Sequence, residues 1–314
     1  MSLRVLKSGP QATLQAAPRI GLRHLGVPAS GAVDRLSHAL ANRLVGNALD
    51  APAIEVTLGG FEARCETSAI LACTGAHTEI KIDQEPVELH SVLKMEAGKT
   101  LSIGYPSQGC RSYVSIAGAF AADDWLGSGS TYLPAAVGGF GGRALRAGDL
   151  LVSKANKTGV SFEANRTPAD NRPPITESWA LRAIPDPGVP NDVQEALFSG
   201  TFQLSNRTSR MGGALEGESL VGIADSKMPS TGVFPGSIQC PPDGRPFLLM
   251  ADAQTTGGYP LVAQVIRADR HLMGQVRPGD RVRFFRTTPD AAAAVLRQKT
   301  ALFEGWLESS FHFG

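Results

Sequence analysis

One turn recurs three times along the chain. Glu96-Ala97-Gly98-Lys99 precedes Thr100-Leu101-Ser102-Ile103, Arg146-Ala147-Gly148-Asp149 precedes Leu150-Leu151-Val152, and Arg277-Pro278-Gly279-Asp280 precedes Arg281-Val282-Arg283-Phe284-Phe285. In each, glycine stands two residues ahead of a period-2 strand, where a tight turn uses its freedom to take positive φ. A chain that repeats this device is built of hairpins. Its 35 glycines and 21 prolines fall between short apolar runs rather than in low-complexity blocks, which is turn punctuation in a β protein. Helix is confined to a few places. Asp34 can cap a segment whose Leu36, Leu40 and Leu44 share one face, with Gly46 as the stop. A second helix follows Thr288-Pro289-Asp290 and runs to Trp306 and Leu307, and a shorter one spans Asp192 to Leu197. The expected fold class is mainly β with a few short helices.

At 314 residues the chain exceeds one ordinary core and has enough for two. An echo between Leu25-Gly26-Val27-Pro28-Ala29-Ser30-Gly31 and Thr231-Gly232-Val233-Phe234-Pro235-Gly236-Ser237 hints at two related halves. The polar stretch 154–176, with Pro168, Pro173 and Pro174, suits a linker between them. This gives an N-terminal subdomain over 1–165 and a C-terminal one, ending in a helix, over 166–314.

Thirty basic and 29 acidic residues nearly cancel, so neither nucleic acid nor an anionic membrane is an expected partner. Cys65, Cys73, Cys110 and Cys240 are scattered without zinc spacing, and no metal site is expected. They read as buried thiols in a reducing compartment. The first 15 residues lack the apolar core of a signal peptide, and no apolar run is long enough to span a bilayer, so the expected location is cytoplasmic.

Common catalytic signatures fail. Gly98-Lys99-Thr100 ends like a phosphate loop, but Leu93 stands where its first glycine belongs. Gly138-Gly139-Phe140-Gly141-Gly142 lacks dinucleotide spacing, and neither a Gly-x-Ser-x-Gly elbow nor a His-Glu-x-x-His helix is present. Lys94 lies between Leu93 and Met95 rather than between two methionines, and reads as an exposed strand-end lysine rather than a biotinylated one.

Polar groups concentrate elsewhere. Asp252-Ala253-Gln254-Thr255-Thr256-Gly257-Gly258-Tyr259-Pro260 follows the apolar strand Phe247-Leu248-Leu249-Met250. Two hydroxyls, an amide, a carboxylate and a phenol at a Gly-Gly turn suit a planar amide or carboxylate. A turn in which Asp252 and the threonines cap local main chain accounts for them equally well. A second cluster runs from His24 through Ser30 to Asp34, with Asn42 and Glu55 beyond it. Asp34 is accounted for as a helix cap, while Ser30 and the free amides of the helix start suit an anion. A third is Asn206 to Gly213, where Arg210 can fork onto a carboxylate or phosphate, although a surface ion pair is the favoured reading of the residues alone.

In this order the segments resemble one family, the carboxyltransferase-like proteins known as allophanate hydrolase subunit 2 or the 5-oxoprolinase C-subunit, related to the carboxyltransferase domain of urea carboxylase and urea amidolyase. The matching blocks are HLGVPASGAVD with LANRLVGN and Glu55, RSYVSIAG with LGSGSTYLPAAVGGFGGRAL, RMGGALEG, GVFPGSIQCPPDGRPFLLMADAQTTGGYP, and QVRPGDRVRF, spanning about 20 to 286. The chain departs from the family pattern at Ser209, where an Asp is usual, at Gly213 for an aromatic, at Ala253 for an Arg and at Leu261 for a Lys.

The resemblance implies two cyclophilin-like β-barrel subdomains and membership of a heteromeric complex. The partners it implies are a subunit 1 (B-type) homologue and, in 5-oxoprolinase, a third subunit. The leading expectation is the C-subunit of an ATP-dependent 5-oxoprolinase, a hydrolase that opens a small lactam and is inactive as this chain alone. ATP is used by the assembled complex. Asp252 and Tyr259 would be catalytic, with Thr255, Thr256, Gln239 and Arg210 binding substrate and Ser30, Asp34 and His24 lining the other side. One alternative is a carboxyltransferase or allophanate hydrolase subunit acting on urea or a related amide, with biotin carried by another chain. Another is a non-catalytic regulatory partner of a kinase inhibitor.

Overall fold

A computed structural model of the chain describes residues 1–155, 165–220, 229–307, 311 and 313. Residues 156–164 of the expected linker lie outside these. The chain divides into two compact units, one made of 1–18, 34–175 and 302–311, the other of 19–33, 176–301 and 312–314.

The first unit is built on two sheets. The six-stranded one runs Leu150–Val152, Ser2–Ser8, Phe61–Thr67, Thr100–Ile103, Ile80–Ile82, Glu85–Val87. The five-stranded one runs Gln11–Gln15, Ala53–Thr57, Gln108–Ile116, Ala69–His77, Val92–Met95. Alternation decides which side chains go inward. In Phe61–Thr67, Phe61, Ala63 and Cys65 are buried while their neighbours are partly or fully exposed. Leu3, Val5, Phe61, Leu71, Val114 and Phe120 are fully buried in one core, each contributing about 1.5–3 kcal/mol of transfer free energy. Helix α1 (Arg35–Leu44) packs on the five-stranded sheet. Asp34 caps it as expected, its Oδ1 accepting the Ser37 N–H at 2.9 Å, and Gly46 follows at φ 67°.

The recurring turn is one physical object used three times. Glycines 98, 148 and 279 have φ of 87°, 94° and 91°. The carbonyls of Glu96, Arg146 and Arg277 accept the N–H three residues on, at 3.3, 3.1 and 3.0 Å. Each glycine N–H donates to a strand carbonyl, that of Cys65, Val5 or Leu204, at 2.7–2.8 Å. The same strand residue donates back to the carbonyl of Lys99, Asp149 or Asp280. Each turn is thus hydrogen-bonded to a strand far away in sequence.

The second unit contains a closed seven-stranded barrel, in the order Ser178–Pro185, Leu261–Val265, Ser237–Gln239, Phe247–Leu249, Gly212–Glu216, Phe202–Ser209, Arg281–Arg286. A parallel pairing of the last strand with the first closes it. Buried Leu181, Phe202, Leu215, Ile238 and Phe284 lie on these strands. Helix α2 (Asn191–Ser199) and the four-residue α3 (Arg270–Met273) occupy barrel connections. Helix α4 (Pro289–Phe303) starts at Thr288, whose Oγ1 accepts the Ala291 N–H at 3.2 Å. It stops short of the expected Leu307, because the Trp306 N–H closes a turn onto the Phe303 carbonyl at 2.9 Å around Gly305. No helix among the described residues is long and apolar enough to cross a membrane.

Candidate functional site

The strand Phe247–Leu249 delivers the chain into the loop that carries Asp252 and Tyr259. Asp252 is buried, and both carboxylate oxygens are taken by Arg210, Nε to Oδ2 at 2.9 Å and Nη2 to Oδ1 at 3.0 Å. Arg210 is equally buried and also donates from Nη2 to the Gly31 carbonyl at 2.6 Å. The main chain reinforces this junction. The Asp252 N–H donates to the Arg210 carbonyl at 2.9 Å, and the Ser30 N–H donates to the Ala251 carbonyl at 3.1 Å. Ser30 and Gly31 both take positive φ, 54° and 88°. Three segments distant in sequence are therefore tied at one buried ion pair, and the Ser30 hydroxyl there is buried without a hydrogen-bond partner among the described residues.

Beyond Asp252 the loop is braced by a two-strand ribbon, Thr231–Gly232 against Thr256–Gly257, and by the Val233 N–H on the Thr255 carbonyl at 3.0 Å. Gln239 reaches from the barrel to donate from Nε2 to the Tyr259 carbonyl at 3.0 Å, and Gln254 Nε2 meets Gln239 Oε1 at 3.5 Å. Gly257 has no side chain for a packing reason. A Cβ there would sit 2.5 Å from Gln239 Nε2. Thr256 and Tyr259 are exposed and Thr255 half-buried. Lying on a braced loop, their hydroxyls are suited to meet a ligand.

Of the expected residues, the structure gathers Asp252, Arg210 and Ser30 at one junction, and Thr255, Thr256 and Tyr259 on the adjoining loop, which Gln239 meets from the barrel strand Ser237–Gln239. Asp34 belongs to the first unit, where its carboxylate caps α1 and its N–H donates to the Tyr113 hydroxyl at 2.8 Å. That hydroxyl in turn donates to Glu55 at 2.8 Å. His24 is exposed on the 3-10 turn Arg23–Leu25. With both of its oxygens held by Arg210, Asp252 is placed to position the loop; proton transfer would require it to leave the fork. Sequence reading passed over Arg23, one residue before the block that drew attention. Arg23 Nη2 donates to the carbonyls of Val233 and, at 3.3 Å, Gln254, and its guanidinium lies 4.9 Å from the centre of the Phe234 ring.

Local packing accommodates the unusual residues. A Cβ on Gly213 would meet Leu204 Cδ1 at 2.5 Å, leaving no space for an aromatic ring. Ala253 is fully buried against Val233 and Leu249. Ser209 Oγ accepts the Met211 N–H at 3.1 Å. Leu261 lies half-buried at the start of its barrel strand.

A mainly β protein with a closed barrel and a braced, hydroxyl-rich loop is the class that this fold and site define. The carboxyltransferase domain family, subdomains A and B, matches residues 25–286, and the chain belongs to it. It is 34% identical over 306 residues to the 5-oxoprolinase C-subunit of Escherichia coli, covering 96% of each chain. It is 35% identical over 302 residues to the Haemophilus influenzae protein of the same name, covering 95% of each. The solved urea carboxylase of Kluyveromyces lactis superposes with a TM-score of 0.90 at 27% identity, over 99% of this chain and 29% of that longer one.

Proposed function

We propose that this chain is the C-subunit of an ATP-dependent 5-oxoprolinase, a multi-subunit hydrolase that opens a cyclic amide. The observation that carries the reading is identity of 34–35% over nearly the whole length of two proteins so named. The hydroxyls of Thr255, Thr256 and Tyr259 supply donors for the carbonyl oxygen of a small lactam, where charge develops as the ring opens. Gln239 holds Tyr259 by its main chain, and the Arg210–Asp252 pair fixes the loop from beneath. Activation of the amide comes from ATP used by the assembled complex, with a subunit 1 homologue and a third subunit as partners, and this chain alone turns nothing over. Its four free thiols support a reducing compartment, the cytoplasm. In the assembled complex, Tyr259→Phe and Asp252→Asn should each depress turnover; if both left it unchanged, this site assignment would be wrong.

The likeness to urea carboxylase favours one second reading, a carboxyltransferase subunit acting on urea or a related amide. The same amide and hydroxyl donors suit the planar ureido group of a biotin carried by another chain. Avidin separates the two, since it would arrest that reaction and leave an oxoprolinase running.

A further inference from the structure

We propose that Arg23, Arg267 and Arg270 form a subsite on the second unit for a small oxyanion, a carboxylate or a phosphate. Other arginines of this unit that approach an acid form ion pairs: Arg182 with Asp269, Arg210 with Asp252, Arg277 with Asp280 and Arg286 with Glu195. Among the described residues these three have none. Asp269, their neighbour in sequence, already gives both oxygens to Arg182. Arg23 and Arg270 flank one loop. Arg23 binds the Val233 carbonyl beside Phe234, while Arg270 Nε approaches the Val265 carbonyl at 3.5 Å, and the Val265 N–H donates to Gly236 at 2.8 Å. Arg23 Nη1 is buried there with no hydrogen-bond partner among the described residues.

Burial, and then the charges of Arg267 and Arg23, bring Arg270 down to about 10. Like charges that act on a partly desolvated guanidinium such as that of Arg270 raise its free energy, and an anion that accepts from the forked N–H groups relieves it. The half-exposed Phe234 ring forms an apolar wall beside Arg23. Because Arg23 also holds the Gln254 carbonyl, the subsite adjoins the loop bearing Thr255 and Thr256. A ligand whose amide meets those hydroxyls therefore has cations at hand for an anionic group.

The test titrates the full chain by calorimetry with inorganic phosphate, with 5-oxoproline, and with 2-pyrrolidinone, which keeps the lactam and lacks the carboxylate. Saturable binding of phosphate or 5-oxoproline is expected, weakened by salt and absent for 2-pyrrolidinone. Phosphate alone would mark a phosphoryl group as the source, 5-oxoproline alone the substrate carboxylate. The double variant Arg267→Gln/Arg270→Gln should weaken binding about tenfold or more. Arg267→Lys/Arg270→Lys should retain part of it, and Arg281→Gln, elsewhere on the barrel, should change nothing. No saturable binding of either anion, binding of 2-pyrrolidinone as tight as of 5-oxoproline, or an unaffected double Gln variant overturns the proposal. None of these readouts uses turnover, so failure here is distinct from failure of the oxoprolinase reading.

Discussion

Replacing Arg210 by Met while keeping Asp252 probes the junction on which the candidate site rests. The side chains of Arg210 and Asp252 are 3% and 2% exposed, joined by hydrogen bonds of 2.9 and 3.0 Å. Deleting the arginine leaves a carboxylate with no counter-charge in a place that water does not reach, and also frees the Gly31 carbonyl. Breaking a buried pair from one side costs about 3–5 kcal/mol. At about 2–4 °C per kcal/mol, this lowers the melting temperature by on the order of 10 °C. Replacing both partners by apolar residues, Arg210→Met with Asp252→Leu, removes the stranded charge and should recover much of the loss. Trp179, buried in the barrel with its Nε1 donating to Asp280 at 2.8 Å, reports unfolding of this unit once Trp125 and Trp306 are changed to Phe. A local reporter matters, because a chain of two compact units need not unfold in one step. A loss below about 1 kcal/mol for Arg210→Met, or a double variant no more stable than the singles, would refute the buried-pair reasoning.

Other consequences follow from the geometry. Gly257→Ala should displace the Gln239 amide, which a Cβ would approach to 2.5 Å; we expect a small change in melting temperature but a clear loss of turnover in the assembled complex. Gly279→Ala meets no atom within 4 Å, so its cost is the positive φ of 91° alone, about 1–2 kcal/mol in denaturant titration. Burial, reinforced by Arg172 and His77, lowers His90 to about 3. The unfolded chain takes up that proton near pH 6.5, well before the folded chain does. This contribution to stability is therefore present above about 6.5 and lost as pH falls toward 3, by about 1.4 kcal/mol per unit. His90→Asn, which tolerates the φ of 61° there, should flatten the acid limb of the first unit's stability profile; an unchanged slope contradicts the assignment. His38, lowered to about 4 mainly by burial, leaves part of the slope in place.

Features with a local cause were legible in the sequence. Glycine ahead of an alternating run announced the three turns, and Asp34 with its leucine stripe announced α1, because the cap and the buried face lie within ten residues of each other. What escaped was non-local. Nothing in residues 19–33 says that they pack with a barrel whose strands begin at Ser178, since the bond that fixes Ser30 ends on Ala251. Arg23 went unnoticed for the same reason, as its partners Val233 and Gln254 lie more than two hundred residues away. Helix α3, at four residues, is too short for periodicity to register. The grouping of Thr255, Thr256 and Tyr259 in the candidate site was legible because they sit on one loop; the fork of Arg210 on Asp252 needed the fold to bring two strand ends together.

The central claim is tested most directly by ATP-dependent consumption of 5-oxoproline, measured with this chain alone and with its subunit 1 and third-subunit partners from the same genome. Turnover is expected only in the complete mixture. A stable complex of all three that leaves 5-oxoproline untouched would contradict the oxoprolinase reading.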